Sequence, residues 1–260
     1  MVSGGSPSLG RPEYWWYRAR ADLLRVALGE HVGSPARLLD VGSADGPSVG
    51  WLARSGHRVA VDLDPRGLGR GDVCASVMDL PFADGSFDVV AAFDVVEHCE
   101  PEARALAEIA RVLAPGGRLL MSVPAYQWAW THFDEHNHHH RRYTRPRAVR
   151  AVEAGGLEVL RASYLFAGTL PFFAADRLRT RLRERGRRAD RLDEGDVPGL
   201  PEVAPWIERT LLAATAVDRR LLGLVDLPFG SSVVVAARKP LSTPHADEQS
   251  STRTPSGARR

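Results

Sequence analysis

The apolar residues of the chain fall into short, nearly continuous runs that alternate with amphipathic or turn-rich stretches. Four of these runs are "ARLLDVG" (36–42), "HRVAVDLD" (57–64), "FDVVAAFDVV" (87–96) and "GRLLMSVP" (117–124). Short apolar runs bounded by turn residues predict buried strands, and their alternation with helical stretches predicts a parallel sheet. Because polar residues do not alternate within the runs, helices should cover both faces of the sheet. The pattern therefore predicts a doubly wound α/β fold.

Further periodic segments predict helices before and after this region. A helical pattern covers Tyr14–Leu28, and arginine- and leucine-rich stretches follow Leu165 until a last apolar run, "SSVVVAARK" (231–239). We interpret these stretches as a helical lid at about 165–230, inserted before the last strand. Both ends of the chain are rich in small and polar residues, which is typical of disorder. The predicted organisation is a disordered N-terminus, one domain and a disordered tail, over residues 1–12, 13–240 and 241–260.

Composition limits the classes of protein to which the chain can belong. With 260 residues, 44% of them hydrophobic and 25% charged, it can fold around one sizeable core. Two cysteines are too few for a disulfide framework, and the N-terminal region lacks the apolar core of a signal peptide. No apolar run reaches the roughly 18 residues that span a bilayer. A net charge of +2 does not indicate a nucleic-acid partner. We expect a cytoplasmic protein.

The turn after the first predicted strand has the pattern of a cofactor site. Gly42 and Gly46 bracket it with Ala44 between them, which gives G-x-A-x-G instead of the dinucleotide fingerprint G-x-G-x-x-G. At the end of the second strand, 16 residues beyond Gly46, Asp62 can accept hydrogen bonds from both hydroxyls of a ribose. Carboxylates at Asp40 and Asp62 would repel a pyrophosphate but attract a sulfonium and an ammonium. Taken alone the segment could be a structural tight turn, but the charges favour S-adenosylmethionine over a dinucleotide.

Five motifs follow one another between Arg37 and about Val123. They are "LLDVGSADG", "VAVDLDP", "DLPFADGSFDVV", "FDVVEH" and "ARVLAPGGRLLMSVP". In this order and spacing they resemble the class I S-adenosylmethionine-dependent methyltransferases, particularly the methyltransferase domain 11 type. The resemblance implies a Rossmann-like, mostly parallel, seven-stranded sheet and transfer of a methyl group. Two positions depart from the family pattern, because Ala44 stands where glycine is common and Ser76 where aspartate is common.

The resemblance also implies which residues bind the cofactor. The glycine turn and the aspartate before it would lie against the methionine part, and the end of the second strand would hold the ribose. A later turn would border the adenine, and the residues after the fourth strand would close the pocket. In that order the residues are Asp40, Gly42, Ala44 and Gly46, then Asp62 and Leu63, then Ser76, Val77, Met78 and Asp79, and last Asp94 and Val95.

Residues after the fourth and fifth strands are candidates for the chemistry of the acceptor. His98 follows the fourth strand, and an imidazole is well suited to take a hydroxyl proton near neutral pH. The segment "WAWTHFDEHNHHHRRYT" (128–144) resembles a loop of a family subset often encoded beside glycosyltransferases, matched here at Asp134, Glu135, His139, Arg141, Arg142 and Tyr143. In that subset the loop closes the acceptor pocket. The predicted catalytic residues are His98, Asp134, His139 and Tyr143.

Structural roles are the alternatives for several of these side chains. Glu97 and His98 could cap a helix or pack on the sheet. Arg141 and Arg142 could be solvated surface charges, the usual fate of paired arginines. The aromatic and arginine residues of "YWWYRAR" (14–20) cover the cofactor side in the same family subset, but an aromatic stripe at helical spacing is equally typical of a core.

A metal site is a further alternative for the histidine-rich segment. His136 and His140 are spaced i, i+4 and would share one face of a helix, with Asp134 or Glu135 as a third ligand. Methyl transfer does not require a metal ion, and a polar acceptor-binding loop explains the same residues. We therefore predict no metal.

The acceptor is inferred from the lid and from the family subset. The segment that begins with "YLFAGTLPFF" (164–173) joins an apolar stretch to the arginine-rich region Arg177–Arg191. This combination suits a membrane surface or an anionic, lipid-linked acceptor, although a solvated helical hairpin has the same pattern. The favoured function is O-methylation of a hydroxyl on a saccharide or on a glycosylated or lipid-linked metabolite, by a protein peripheral to the inner face of the membrane. The alternatives are transfer to carbon, nitrogen or oxygen of a nonsugar secondary metabolite, and cofactor binding without catalysis. The expected partner is a small-molecule or saccharide acceptor and no nucleic acid.

Overall fold

A seven-stranded sheet forms the centre of the computed structural model, which describes residues 14–42, 50–52, 56–186 and 203–241. In chain order the strands are β1 (Arg37–Val41), β2 (His57–Asp62), β3 (Val73–Cys74), β4 (Phe87–Phe93), β5 (Leu113–Pro124), β6 (Glu158–Leu165) and β7 (Ser232–Arg238). They lie side by side in the order β3-β2-β1-β4-β5-β7-β6. Strands β1 to β5 pair in parallel, and β7 is antiparallel to both of its neighbours. The predicted doubly wound α/β fold with a mostly parallel sheet is confirmed.

Helices pack around this sheet. Those in the described ranges are α1 (Trp15–Leu28), α2 (Glu102–Val112), α3 (His132–His136), α4 (Arg145–Ala154), α5 (Leu170–Gly186) and α6 (Pro205–Leu222). Helix α1 packs on α6, and α2 packs on α4. The start of α4 follows from its sequence, because the Thr144 hydroxyl accepts a hydrogen bond from the Arg147 N–H at 3.4 Å and Pro146 occupies the first turn.

The central strands carry the buried core. In β4 and in β7, six of the seven residues are buried, so both faces of these strands need cover. Strands β3 and β6 are not buried in this way, and neither is visible as an apolar run in the sequence. Strand β3 has only two residues, and the first half of β6 is partly exposed. The antiparallel direction of β7 is likewise a tertiary feature, since its apolar run resembles that of a parallel strand.

Helices α5 and α6 form the described part of the predicted lid. The carboxylate of Asp218 in α6 accepts a hydrogen bond from the Gly168 N–H at 3.0 Å, which fixes this helix to the turn after β6. In α5, Arg177 donates to the Thr131 hydroxyl at 2.9 Å and Arg181 donates to the Trp130 carbonyl at 3.2 Å. The lid is therefore docked on the segment that follows β5.

Some sequence predictions concern parts of the chain beyond the described residues. The predicted disordered N-terminus lies there, as do most of the predicted tail and the later arginines of the Arg177–Arg191 region. Of the helices in the described ranges, none is both long enough and apolar enough to cross a bilayer.

The turn out of β1 requires a glycine at its first position. Gly42 has a φ of +71°, and its N–H donates to the Val61 carbonyl at 2.8 Å. A Cβ atom at this position would lie 2.4 Å from Cγ2 of Val95, far inside contact distance. Gly33 also has a positive φ, +67°, but no atom lies within 4 Å of a Cβ built there. The two glycines therefore differ in packing and share a backbone conformation that side chains disfavour.

We expect Gly42→Ala to lower the free energy of unfolding by about 3 kcal/mol or more, because the left-handed backbone costs roughly 1–2 kcal/mol and Val95 must also move. Gly33→Ala should lower it by only about 1–2 kcal/mol. Urea unfolding of the two variants beside the unmodified protein checks this difference. Equal destabilisation would contradict the close contact between Gly42 and Val95.

Candidate functional site

The carboxyl ends of β1, β2 and β4 meet at one edge of the sheet, because these neighbouring strands are parallel. Asp40 and Gly42 lie at the end of β1, Asp62 is the last residue of β2, and Asp94 follows β4. Ligands of open α/β sheets bind beyond this edge. The structure thus brings together predicted cofactor residues from three separate segments.

The aspartates of the first two strands have different surroundings. Asp40 is buried, and its Oδ2 atom lies 2.6 Å from Nη2 of Arg58. The sequence argument counted the negative charge of Asp40 without this partner, and the guanidinium of Arg58 compensates that charge. Asp62 is half-buried, and its Oδ1 accepts a hydrogen bond from the Asp64 N–H at 2.9 Å. Next to it, the apolar side chain of Leu63 is 72% exposed, as expected of a residue that a ligand would cover.

The turn at 76–79, predicted to border the adenine, follows β3. The hydroxyl of Ser76 accepts a hydrogen bond from the Met78 N–H at 3.2 Å. The Asp79 N–H donates to the Ser76 carbonyl at 3.0 Å and so closes the turn. Ser76 is thus oriented by its own turn. Ala44 and Gly46, which the sequence predicts against the methionine part, lie outside the described residues.

A buried arginine connects helix α1 to the residue after β4. Arg20 is 2% exposed, and its Nη2 lies 2.9 Å from the Asp94 carboxylate and 2.9 Å from the Ser122 hydroxyl, to which it donates. Ser122 in turn donates to Asp94 at 3.1 Å. Asp94 has a φ of +56°, which is uncommon for a residue other than glycine. The predicted aromatic-arginine helix therefore contributes Arg20 to the site, while Trp15 and Tyr17 belong to the buried core.

Three further side chains, Glu97, His98 and His139, meet at this edge and are named here the Glu-His cluster. Glu97 and His98 lie in a short 3-10 turn after β4, and His139 lies between α3 and α4. One carboxylate oxygen and one nitrogen from each ring all lie within 4.8 Å of one another. The two rings meet edge to face with their centroids 4.6 Å apart. Neither Glu97 nor His98 caps helix α2, whose N-cap is Pro101.

Glu97 is the most enclosed member of the cluster. Its side chain is 0% exposed, and neither carboxylate oxygen has a hydrogen-bond partner among the described residues. Burial raises the pKa of this carboxyl well above its ordinary value, and the neighbouring charge of Asp94 raises it further. Its backbone carbonyl accepts a hydrogen bond from the His140 N–H at 2.8 Å, which joins the 3-10 turn to the histidine-rich segment.

Asp134 orients the ring of His139. Its Oδ1 lies 2.9 Å from Nδ1 of His139 and accepts a hydrogen bond from Nε of Arg142 at 2.7 Å, while Oδ2 accepts from the Thr131 N–H at 3.0 Å. Burial alone would raise the pKa of Asp134, but the hydrogen bonds from His139 and Arg142 outweigh it and lower the pKa to about 2. Because Asp134 is ionised, Nδ1 of His139 carries a proton, and Nε2 is the nitrogen left for other partners.

The second imidazole, that of His98, reaches the protein surface. Partial burial lowers the pKa of His98 to about 4, and the neighbouring His139 lowers it as well. The backbone of Asn137 is a hydrogen-bond partner of the ring. His98 is therefore a neutral imidazole at physiological pH, held from one side by the protein.

Tyr143 and the paired arginines lie inside the protein. Tyr143 is 0% exposed and its hydroxyl donates to the Glu102 carboxylate, while burial raises its pKa. Arg141 and Arg142 are 7% and 5% exposed and pair with Glu102 and Asp134. The interpretation of these arginines as solvated surface charges is wrong. The geometry favours a structural role for Tyr143, because its hydroxyl is committed to the half-buried carboxylate of Glu102.

The predicted pair of histidines spaced i, i+4 does not share a helical face. Helix α3 ends at His136, and His138 has a φ of +56°, so His140 lies beyond the helix. Both His136 and His140 are exposed. In the described part of the chain, the residues close enough to share a metal ion are those of the Glu-His cluster.

One contact and one residue of this site were not predicted from the sequence. The partnership of Arg20 with Asp94 joins residues far apart in the chain and leaves no local signal. Glu97 was considered only as a cap or packing residue, although an acidic side chain directly after the apolar run of β4 was a usable indication, since charged residues are seldom fully buried without a role.

Comparisons with known proteins agree with the cofactor side of the site. Residues 39–121 match the family model described as a methyltransferase domain. The O-methyltransferase rstn1 of Aspergillus nomiae is 32% identical over 134 residues, which cover 42% of this chain and 60% of that protein. The demethylmenaquinone methyltransferase of Tropheryma whipplei is 35% identical over 117 residues, which cover 41% of this chain and 46% of that protein. The matches thus span less than two thirds of the length of either relative.

The solved structures extend the likeness to the whole fold. A chain of the complex solved with the Trm112 methyltransferase activator of Haloferax volcanii has a TM-score of 0.55 and 17% identity, covering 90% of this chain and 93% of that one. At this identity the likeness concerns the fold alone. The chain thus matches a methyltransferase domain over residues 39–121, and its likeness to the solved structure extends the similarity of the fold beyond that segment.

Proposed function

We propose that the protein transfers a methyl group from S-adenosylmethionine to a hydroxyl of an acceptor held at the Glu-His cluster. One observation carries this proposal. Gly42, Asp62 and Asp94, which belong to the segment matched by the methyltransferase family, lie at the same sheet edge as the imidazoles of His98 and His139. Cofactor residues and groups able to bind an acceptor oxygen are thus neighbours.

The described residues at this edge fit the cofactor. At Gly42 the backbone is bare and fits closely against Val95, as a turn that lies along a ligand requires. The half-buried carboxylate of Asp62 suits the two ribose hydroxyls, and the exposed side chain of Leu63 offers apolar cover for the adenine. Because Arg58 pairs with Asp40, we assign the ribose contact to Asp62 and not to Asp40.

Methyl transfer forms a bond from the acceptor oxygen to carbon, breaks the carbon–sulfur bond with its electron pair left on sulfur, and releases the hydroxyl proton. The task of the protein is mainly to align the acceptor and exclude water. We propose that the lone pairs of His98 and His139 face the acceptor hydroxyl. Asp134 acts as a positioning residue, because it fixes the tautomer and orientation of His139.

An aromatic and basic surface adjoins the cluster on the same segment and supports a saccharide as the acceptor. Trp128 is 44% exposed and Phe133 37% exposed. The guanidinium of Arg177 lies over the rings of Phe133 and Phe173, at 5.6 and 4.9 Å from their centroids. Aromatic faces beside polar groups suit ring-shaped ligands that have both apolar faces and hydroxyls. The resemblance of 128–144 to the loop found beside glycosyltransferases points to the same class of acceptor.

A nonsugar metabolite is the second candidate, with transfer to carbon, nitrogen or oxygen. The relative from Tropheryma whipplei is named for a quinone substrate, demethylmenaquinone, which favours this possibility. Cofactor binding without catalysis is the third candidate. It would leave the paired imidazoles of His98 and His139 without a chemical task.

We further propose that helix α5 contacts a membrane surface or the lipid part of the acceptor, with the protein in the cytoplasm. Phe172, Leu178 and Leu182 of this helix are 49%, 59% and 59% exposed. The exposed guanidinium of Arg179 lies among them in the sequence. Apolar side chains next to arginine are typical of helices that lie on anionic membranes.

Replacing the ribose partner should weaken cofactor binding. We expect Asp62→Ala to lower the affinity for S-adenosylmethionine by about tenfold to a hundredfold, because hydrogen bonds to a charged group contribute about 1.5–3 kcal/mol. Asp64→Ala is the matched control, since that carboxylate lies close in sequence but is held by Arg66. Calorimetry measures both. Tight binding that survives Asp62→Ala would refute the cofactor assignment.

Replacing either imidazole should slow methyl transfer more than it weakens cofactor binding. For His98→Gln and His139→Gln we expect turnover to fall by about a hundredfold with cofactor affinity nearly unchanged. His136→Gln and His140→Gln, on exposed histidines of the same segment, should retain turnover. The assay follows transfer of an isotopically labelled methyl group into cell extract. Unaltered turnover in both cluster variants would show that alignment alone drives the reaction.

The acceptor class can be read from the labelled product. We expect mass spectrometry of extract incubated with the protein and isotopically labelled cofactor to show one saccharide-containing product that gains a labelled methyl group on oxygen. Extract incubated with the Asp62→Ala protein is the control. A labelled product that contains no sugar would favour the second candidate, and the absence of any labelled product would favour cofactor binding without catalysis.

A further inference from the structure

The Glu-His cluster has a property that methyl transfer does not explain, namely a fully enclosed carboxylate, beside two imidazoles, for which the described residues offer no hydrogen-bond partner. We propose that Glu97, His98 and His139 bind one divalent transition-metal ion. The sequence predicts no metal, and the spacing considered there, His136 with His140, is not the one that the fold brings together. The cluster is assembled from the turn after β4 and the segment after α3.

The donor atoms have the spacing that a single ion needs. All three candidate ligand atoms lie within 4.8 Å of one another. Zinc–nitrogen and zinc–oxygen bonds are about 2.0–2.2 Å long, so two ligands on one ion are separated by up to about twice that length. Small side-chain movements are therefore enough to bring the three atoms onto one ion. The edge-to-face contact of the two rings leaves them close without stacking.

Both imidazoles are already oriented as metal ligands usually are. A ligating histidine commonly donates its second ring nitrogen to a carboxylate or a backbone carbonyl, which fixes the tautomer. Nδ1 of His139 lies 2.9 Å from the Asp134 carboxylate, and the backbone of Asn137 is a hydrogen-bond partner of His98. Arg142 holds Asp134 in turn, at 2.7 Å. The ligands and their supporting groups thus form one connected set.

Glu97 is the independent observation that points to a ligand. A buried polar group without a partner is costly, and native proteins seldom leave one unsatisfied. Both oxygens of Glu97 are enclosed and lack a hydrogen-bond partner among the described residues. One of them lies within 4.8 Å of a nitrogen atom of each ring. A cation at the cluster would satisfy this carboxylate where the described protein groups do not.

The donor set selects the class of ion. Two imidazoles and one carboxylate suit zinc and similar first-row transition metals, whereas magnesium and calcium prefer sites made of oxygen donors. Three protein ligands also leave at least one coordination position open, which is the arrangement of catalytic and not of structural zinc sites. We therefore assign a site of the zinc type with an open position.

The use of that open position rests on the proposed function. An acceptor oxygen bound to the ion would be fixed in place, and the charge of the ion would lower the pKa of the bound hydroxyl. The proton would then leave to solvent, and the oxygen would retain the electron pair that forms the new bond to carbon. In this arrangement His98 and His139 donate their lone pairs to the ion, and the ion takes their place in facing the acceptor oxygen.

Metal titration of the full, untagged protein tests the site directly. The protein is first stripped with a chelator and then titrated with Zn²⁺ in a calorimeter, and with Co²⁺ while its visible absorption is recorded. We expect one ion per chain. Glu97→Gln, His98→Gln and His139→Gln should each weaken binding by about tenfold or more and reduce the Co²⁺ absorption. His136→Gln and His140→Gln should bind as the unmodified protein does.

Circular dichroism of each stripped variant confirms that it is folded, and His98→Gln, on a surface side chain, keeps the test valid if a buried variant unfolds. No binding by the unmodified protein, or equal loss in the His136 and His140 controls, would overturn the proposal. Cofactor affinity is measured separately on the stripped protein. Ion binding without cofactor binding would refute the proposed function and keep the metal site. If the stripped protein instead binds the cofactor, transfers methyl groups at the full rate and binds no ion, the metal site is refuted and the proposed function is kept.

Discussion

The ion pair between Arg20 and Asp94 is the contact on which the site depends. It fixes helix α1 to the first residue after β4, where the backbone turns through a left-handed conformation. The next residue, Val95, packs against Gly42. Two residues further along the chain, Glu97 lies in the Glu-His cluster. Arg20 also opposes the accumulation of negative charge by Asp94 and Glu97 in one enclosed region. Removing Asp94 would take this carboxylate from the enclosed guanidinium of Arg20, which is destabilising.

The cofactor side could be predicted from sequence because its signals are local. A buried strand that ends in glycine and a second strand that ends in an acid are each visible within a few residues, as at Gly42 and Asp62. Parallel pairing then brings both to one edge without further information. The charge of Asp40 could not be judged in this way, because its partner Arg58 lies on the neighbouring strand and becomes a partner only through the register of the sheet.

The histidine-rich segment was harder to predict, because its geometry depends on where helix α3 ends. Helical spacing of His136 and His140 presupposes a helix through both residues, whereas the left-handed backbone at His138 follows the end of α3 and turns His139 toward the cluster. The residue types of this segment do not indicate that the helix ends between the two histidines. The burial of Arg141 and Arg142 could not be predicted either, because their carboxylate partners, Glu102 and Asp134, lie in helices α2 and α3.

Thr131 connects two parts of the protein that the sequence separates. Its backbone N–H holds Asp134, and its hydroxyl accepts the hydrogen bond of Arg177 from helix α5. Asp134 in turn sets the angle of the His139 ring. Helix α5 and the imidazole of His139 are therefore joined by a short series of contacts through Thr131 and Asp134. The orientation of the His139 ring thus has a support outside its own segment, in the helix that packs on it.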